Sequence, residues 1–233
     1  MKIAMIGHKR IPSREGGVEV VVEELATRLV NRGHCVEVYN RKGKNVQDKN
    51  ADLDKQNLKE YKGVRIITIP TINKKGIDAL IYSFLGSIRA IFGKYDVIHY
   101  HAEGSCAMLW IPHLFKKRIV VTIHGLDWQR SKWGGFATKY IKFGEKCAVK
   151  FADEIIVLSK GVQKYFKDTY GRETNFIPNG VEKPIIKEEN GGFNKDKNNI
   201  NGSKDIVFCK ILHFAILITS KKRADKLTAQ IGG

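Results

Sequence analysis

Short apolar runs of strand length alternate along the chain with stretches whose apolar residues recur at helical spacing. Lys2–Gly7 reads as a strand, and Val18–Asn31 places Val18, Val21, Val22, Leu25, Ala26 and Leu29 on one helical face. Gly33 closes that helix and Cys35–Tyr39 is the next strand. Arg41–Lys62 is polar and reads as a flexible connection. Val64–Ile69 is a strand ended by Pro70, Ile77–Phe92 a strongly apolar helix, Asp96–His101 a strand and Ser105–Phe115 a short helix. Arg118–Ile123, Glu154–Leu158 and Thr174–Ile177 are further strands, with helices over Gly135–Phe151 and Lys160–Lys167 between them. This alternation predicts an α/β, doubly wound parallel sheet covered on both faces. Right-handed crossovers are expected, and ligands should bind at the carboxyl ends of the strands.

The pattern changes after Pro184. Residues 187–205 hold five Asn and three Gly among nineteen, a linker composition. Ile206–Thr219 fits one strand or a short helix, and Lys221–Gly233 is polar and basic. No repeat and no second set of βαβ units is visible, and what remains is too short for a second domain of roughly 100 residues. The expected division is one domain over 1–182, with 183–233 a linker and tail. The apolar run Ile211–Thr219, flanked by Lys210 and broken by His213, is too short to span a bilayer. Met1–Gly7 lacks the features of a signal peptide and reads as a first strand. Cys35, Cys106, Cys147 and Cys209 form no CxxC pair, which argues against a disulfide framework or structural zinc and fits a reducing cytoplasm.

The formal net charge of +17 changes the picture. Residues 187–233 carry nine Lys/Arg against five Asp/Glu, so +13 falls on residues 1–186. Such a field draws phosphate-bearing substrates, anionic lipid headgroups or nucleic acid.

Four segments carry candidate chemistry. The turn after the first strand runs Gly7 to Glu19 and includes Arg10, Arg14, Gly16 and Gly17. Adjacent glycines at a helix start admit a ligand close to the backbone, and free N–H groups there favour an anion; a simple tight turn is the plainer alternative. Arg10 and Arg14 are solvated charges or phosphate ligands. The pattern is not GxGxxG, which disfavours a nicotinamide cofactor. Next, His99-Tyr100-His101-Ala102-Glu103-Gly104 ends a strand, with His99 and His101 on one face. An HxH pair can bind metal, but no further ligand cluster has suitable spacing. A packed His99 with a site-facing His101 or Glu103 is preferred. In Thr122–Arg130, His124 stands where substrate chemistry would occur and Gly125 leaves space. Asp127 can accept hydrogen bonds from sugar hydroxyls and Trp128 offers a stacking face, unless they merely cap and pack. Finally, Lys139, Lys142, Lys146 and Lys150 recur along one helix, with Phe136, Tyr140, Phe143, Cys147 and Phe151 read as the opposing apolar set. That is a solvated face or a basic ridge for anionic lipid. No Gly-x-Ser-x-Gly, P-loop or kinase pattern occurs, and no nucleic-acid module is visible.

Taken together and in this order, GHKRIPSREGGVEVVVEELA, YDVIHYHAEG, VTIHGLDWQRSKW, KFGEKCAVKFADEIIVLS and FIPNGVEKP resemble the family 4 glycosyltransferases of the GT-B fold. The likeness is strongest to rhamnosyltransferases of bacterial capsule and surface-polysaccharide synthesis. It covers about Met1–Pro184. It implies the N-terminal, Rossmann-like, acceptor-binding half of a two-domain enzyme that transfers sugar with retention, without an essential metal or other cofactor. The co-substrate would be a nucleotide-sugar such as dTDP-rhamnose and the acceptor a lipid-linked saccharide. By matching position, Gly16 and Gly17 approach the donor diphosphate, and His124 lies near the donor sugar. Asp127 joins His124 in the catalytic set. Arg10, Arg14, Glu103, Trp128 and Arg130 belong to the acceptor side, and Pro178-Asn179-Gly180 leads to the second domain. The family's donor-gripping residues do not follow Gly180, and the resemblance extends at most to Asp205–Phe214 as an echo of that domain's first strand. The implied chain is therefore an N-terminal fragment inactive by itself, or one half completed by a separate donor domain. It would lie in the cytoplasm, peripheral on the inner face of the membrane, with no nucleic-acid partner. The competing readings are a non-catalytic module for phosphorylated lipid or another polyanion and, on His99 and His101 alone, a metal hydrolase.

Overall fold

Strand and helix alternate from β1 (Lys2–Ile6) to α1 (Gly17–Asn31), β2 (Cys35–Arg41), β3 (Glu60–Tyr61), β4 (Val64–Ile69) and α2 (Ile77–Phe92). They continue through β5 (Val97–His101), two short helices α3 (Glu103–Cys106) and α4 (Trp110–Leu114), and β6 (Ile119–Ile123). A single 3-10 turn at Asp127–Gln129 precedes α5 (Gly135–Phe151), β7 (Glu154–Val157), α6 (Lys160–Tyr170) and β8 (Asn175–Phe176). The computed structural model describes residues 1–42, 58–72, 74, 76–129 and 134–179. Within this range Met1–Phe176 gathers into one compact unit. The expected boundary at 182, the tail 183–233, Gly180, Arg130 and most of the polar connection before β3 lie outside the described residues.

The strands form one sheet in the order β3-β4-β2-β1-β5-β6-β7-β8. Every pairing is parallel except the β3–β4 hairpin. The α/β doubly wound expectation is met. β5 and β6 are buried at every position, as strands covered by helices on both faces must be. The chain builds outward from β1 through β2 to β4, then returns to lay β5 on the other side of β1. The carboxyl ends of β1 and β5 therefore flank the switch point, where an open parallel sheet leaves a crevice for ligands.

Three local readings change. The helix expected over Ser105–Phe115 is two helices, because Pro112 has no N–H to return to Met108 and its ring crowds that carbonyl. Pro112 is tolerated in the first turn of α4 instead. On α1, Glu19 and Glu23 are buried beside Val22, Leu25, Ala26 and Leu29, while Val18 and Val21 are only half-buried. The two acids are drawn inward by the donors they serve. On α2 the buried face is polar or small rather than strongly apolar: Asp78 and Tyr82, then Ser83, Gly86, Ser87 and Ala90. Small residues let the helix approach closely, and Ser87 Oγ lies 2.8 Å from Tyr100 Oη. No described helix is long and apolar enough to cross a membrane.

Candidate functional site

At the switch point β1 is followed by Gly7, whose φ of +117° suits glycine alone. A Cβ there would collide with the carbonyl oxygen of His101, so the ends of β1 and β5 meet backbone to backbone. The Gly7 amide donates to Tyr82 Oη at 3.0 Å, and that hydroxyl donates to the Tyr39 carbonyl at 2.6 Å. The next residue, His8, is buried, with Nε2 3.1 Å from Asn40 Oδ1. Asn40 also receives the Ile11 amide at 3.0 Å and donates to the Ile11 carbonyl at 2.8 Å. This pins the start of the loop that carries Arg10 and Arg14.

The histidines at the ends of β5 and β6 form a layered group. His99 is packed, with Nε2 2.8 Å from Thr122 Oγ1. His101 stacks on it at 4.2 Å between ring centroids and is fully buried. His101 Nδ1 lies 3.1 Å from Nε2 of His124, which is half-buried. Burial keeps the inner rings neutral: it lowers His8 to about 4 and His99 to about 3, and holds His101 well below the usual histidine value. His99, His101 and His124 face one another, but among the described residues no group of three or more His, Cys, Asp or Glu side chains is placed to hold a metal ion. His99 and His101 pack on each other, and His101 in turn reaches His124.

Ala102 follows with φ +71° and ψ 146°, a conformation costly for a residue with a Cβ. It aims Glu103 inward. Glu103 is fully buried, and its Oε2 accepts the Asp127 amide at 3.0 Å. Burial first, then the nearby Glu145 and Asp127 carboxyls, push its pKa up to about 9. Its carboxyl holds the underside of the Asp127 turn rather than lining an open surface. Trp128 donates from Nε1 to Glu145 at 3.1 Å, and Lys142 Nζ sits 4.1 Å from the centroid of its ring. Asp127 and Trp128 are themselves half-buried.

Gly16 and Gly17 differ. The room left by Gly16 is taken by the Glu19 carboxylate, whose Oε1 accepts the Lys9 amide at 3.0 Å. Beside Gly17 the space is open. The N-terminus of α1 thus has a resident carboxylate suited to the helix dipole, and Gly17 is the glycine that leaves an approach free. Arg14 is exposed and pairs with Glu23 at 3.4 Å, and Tyr61 Oη donates to the same oxygen at 3.2 Å. Arg10 is half-buried in the same loop.

Along α5, Lys139, Lys142, Lys146 and Lys150 are exposed. The assignment of Phe136 and Phe143 to the opposing face needs correction: they are 82% and 52% exposed and share the lysine side. The seam that packs inward is Ile141, Gly144, Glu145, Cys147 and Ala148. A Cβ at Gly144 would collide with the Glu103 carbonyl, so α5 meets α3 there and the rest of the helix is oriented around that contact.

Sequence reasoning missed His8, Asn40 and Glu145. For Glu145 one signal was available: a carboxylate on the same helical stripe as Ile141 and Ala148. The partners of His8 and Asn40 come from separate strands, and spacing along the chain carries no trace of them.

Comparison with known proteins gives the geometry a family. The model of Glycosyltransferase Family 4 matches residues 15–183. None of the curated proteins compared matches the chain. Among solved structures, sucrose-phosphate synthase from Thermosynechococcus elongatus is similar at a TM-score of 0.58 and 21% identity, over 78% of this chain and 48% of that one. HepE from Anabaena, solved in complex with UDP and glucose, gives 0.51 and 15%, over 78% and 45%. The lipopolysaccharide outer core galactosyltransferase WaaB in its apo form gives 0.51 and 17%, over 80% and 48%. These likenesses are of fold, and the chain spans about half the length of each structure. With a family model covering most of its length and a GT-B sheet carrying the site, the chain belongs to glycosyltransferase family 4.

Proposed function

We propose that the chain is the acceptor-side half of a retaining, nucleotide-sugar-dependent glycosyltransferase of bacterial surface-polysaccharide synthesis. It would move rhamnose from dTDP-rhamnose to a lipid-linked saccharide. The observation that carries this reading is the placement of half-buried His124 and Asp127 at the carboxyl end of β6, beside the switch point, with His124 backed by His101. His124 would meet the donor sugar and reacting centre, and Asp127 an acceptor hydroxyl. Gly17 and the N-terminus of α1 would admit the donor diphosphate, while Arg10, Arg14, Trp128 and Arg130 would hold the acceptor. Glu103 would act from beneath by fixing the Asp127 turn. No metal ion or other cofactor enters this scheme.

The donor would need a second domain. The chain spans 48% and 45% of the first two solved structures, and transfer requires both substrates at reacting distance, an alignment worth roughly 7–11 kcal/mol. Charge developing on the departing diphosphate must be stabilised too. Alone, the chain would bind acceptor without turnover. The exposed lysines of α5, with Phe136 and Phe143 among them, would rest on anionic lipid at the inner face of the cell membrane.

Calorimetric titration separates this from the polyanion-binding alternative. The chain should bind a lipid-pyrophosphate-linked saccharide better than the same lipid pyrophosphate without sugar. Equal affinity for the two, matched by heparin or polyphosphate, would favour the non-catalytic module.

A further inference from the structure

We infer that Glu103 and Glu145 share one proton, and that this buried carboxyl–carboxylate pair positions the Asp127–Trp128 turn, with Glu103 as the acid and Glu145 as the ion. Both side chains are fully buried. They are brought side by side because Gly144 lets α5 touch the backbone of α3 at Glu103. Neither is in an ion pair with a cation among the described residues.

Two carboxyl groups so placed do not both ionise, since like charges at close range in a dry site raise the pKa of one member. The hydrogen bonds decide which. Glu145 Oε1 accepts from Tyr165 Oη at 2.8 Å and from Tyr170 Oη, while its Oε2 accepts from Trp128 Nε1 at 3.1 Å. Three donors converge on it, which suits an acceptor-only carboxylate. Glu103 Oε2 accepts one amide, from Asp127, while its buried Oε1 receives no donor. A proton on Oε1 directed at Glu145 satisfies that atom and removes the second charge. Burial and Glu145 both push Glu103 in this direction.

The pair therefore grips the turn twice, at the Asp127 amide through Glu103 and at the Trp128 indole through Glu145. Both glutamates are positioning residues. The titratable groups acting on them directly are Cys106 from α3, Asp127 from the turn, and Tyr165 and Tyr170 from α6. Tyr140 and Cys147 of α5 lie near Cys106, and Lys142 sits over the Trp128 ring. Burial raises Cys106, Tyr140, Cys147, Tyr165 and Tyr170 and keeps them neutral below their ordinary range. On the alkaline side Glu103 is thus the group that releases its proton, and the repulsion that follows loosens the turn. That the turn then loses a sugar rests on the transferase reading; the shared proton does not.

Infrared spectroscopy of the full 233-residue chain tests this. In D2O at neutral pH a protonated-carboxyl C=O stretch should be present, should vanish only well above the usual carboxylate range, and should be missing in Glu103→Gln. Glu103→Gln retains an amide that can donate to Glu145 and an oxygen for the Asp127 amide, so it should keep the turn. Hydrogen exchange at Asp127 should accelerate in the wild type beyond the chemical trend as the band disappears, and should not do so in Glu103→Gln. No such band in the wild type at neutral pH, a measurement that needs no variant, overturns the proposal. So does a band unchanged by Glu103→Gln. If the band behaves as expected in a chain that never supports transfer, the pair is upheld and the functional reading alone fails.

Discussion

His101 Nδ1 lies 3.1 Å from His124 Nε2, so a fully buried ring on β5 sets the orientation of a half-buried ring on the loop after β6. Because burial keeps His101 neutral, it can exchange a hydrogen bond with His124 without adding charge to the site. Replacing His101 with Phe removes this contact with His124. In a complemented enzyme kcat should fall by about 10- to 100-fold, since misplacing a reacting group by about an ångström has costs of that order. The check is kcat and KM side by side, and a change confined to the acceptor KM would contradict a positioning role.

Ala102 carries its positive φ at the junction of β5 and α3. Gly adopts that conformation freely, whereas the strain on Ala is on the order of 1–3 kcal/mol. Ala102→Gly also makes the unfolded chain more flexible, at about 0.4–1 kcal/mol. The net expectation is a stabilisation of about 1 kcal/mol by urea unfolding, where an ordinary Ala→Gly change destabilises.

The two glycines before α1 should behave differently. Nothing lies near a Cβ placed on Gly17, so Gly17→Ala should melt like the wild type yet raise the donor KM of a complemented enzyme by about tenfold, through loss of close backbone approach. Gly16→Ala displaces Glu19 and should disturb the loop itself. Circular dichroism melts with donor titration distinguish the two. A Gly17→Ala chain with unaltered donor KM would remove this turn from the donor site.

Stability should peak near pH 6.5 as far as four buried groups decide it. Below 6.5 the unfolded chain takes up protons that the folded one refuses, because His8 and His99 titrate only near 4 and 3 and His101 well below its usual value. Stability conferred by these neutral rings is therefore lost as pH falls through that range. Glu103 acts oppositely. The folded chain keeps its proton up to about 9 while the unfolded carboxyl releases it near 4.5, so stability is lost as pH rises between those values. Between 4.5 and 6.5 three histidines outweigh one glutamate. Thermal unfolding against pH should show both limbs, and Glu103→Gln should flatten the alkaline one.

Much of the architecture was legible because punctuation coincides with periodicity. Pro70 stops β4, glycines at 76 and 93 bound α2, and Gly134–Gly135 starts α5; those three elements fall where the pattern puts them. The strand-end loops were legible as site candidates because a parallel sheet puts ligands there. What stayed hidden depends on tertiary partners. Glu19 fills the gap beside Gly16, and Glu145 collects donors from the Trp128 turn and α6. The outward turn of Phe136 and Phe143 follows from where Gly144 meets α3, a contact between residues some forty apart in the chain.

Changing Lys139, Lys142, Lys146 and Lys150 together to Gln should reduce co-sedimentation with vesicles rich in anionic lipid, each basic residue contributing on the order of 1 kcal/mol. Salt should weaken wild-type binding as well. Phe136→Ser with Phe143→Ser should weaken binding in a salt-insensitive way. Unchanged binding in both sets of variants would clear α5 of any membrane role.

The central claim is tested most directly by sugar transfer itself. The chain is combined, fused after Pro184 or in trans, with the donor-binding half of a family 4 rhamnosyltransferase, and labelled rhamnose is followed from dTDP-rhamnose to a lipid-linked saccharide. The account predicts no transfer by either half alone, transfer by the combination, and loss of at least about a hundredfold with His124→Ala, in keeping with a group placed at the reacting centre. Robust turnover by the 233-residue chain alone, or transfer by the combination that His124→Ala leaves intact, would contradict it.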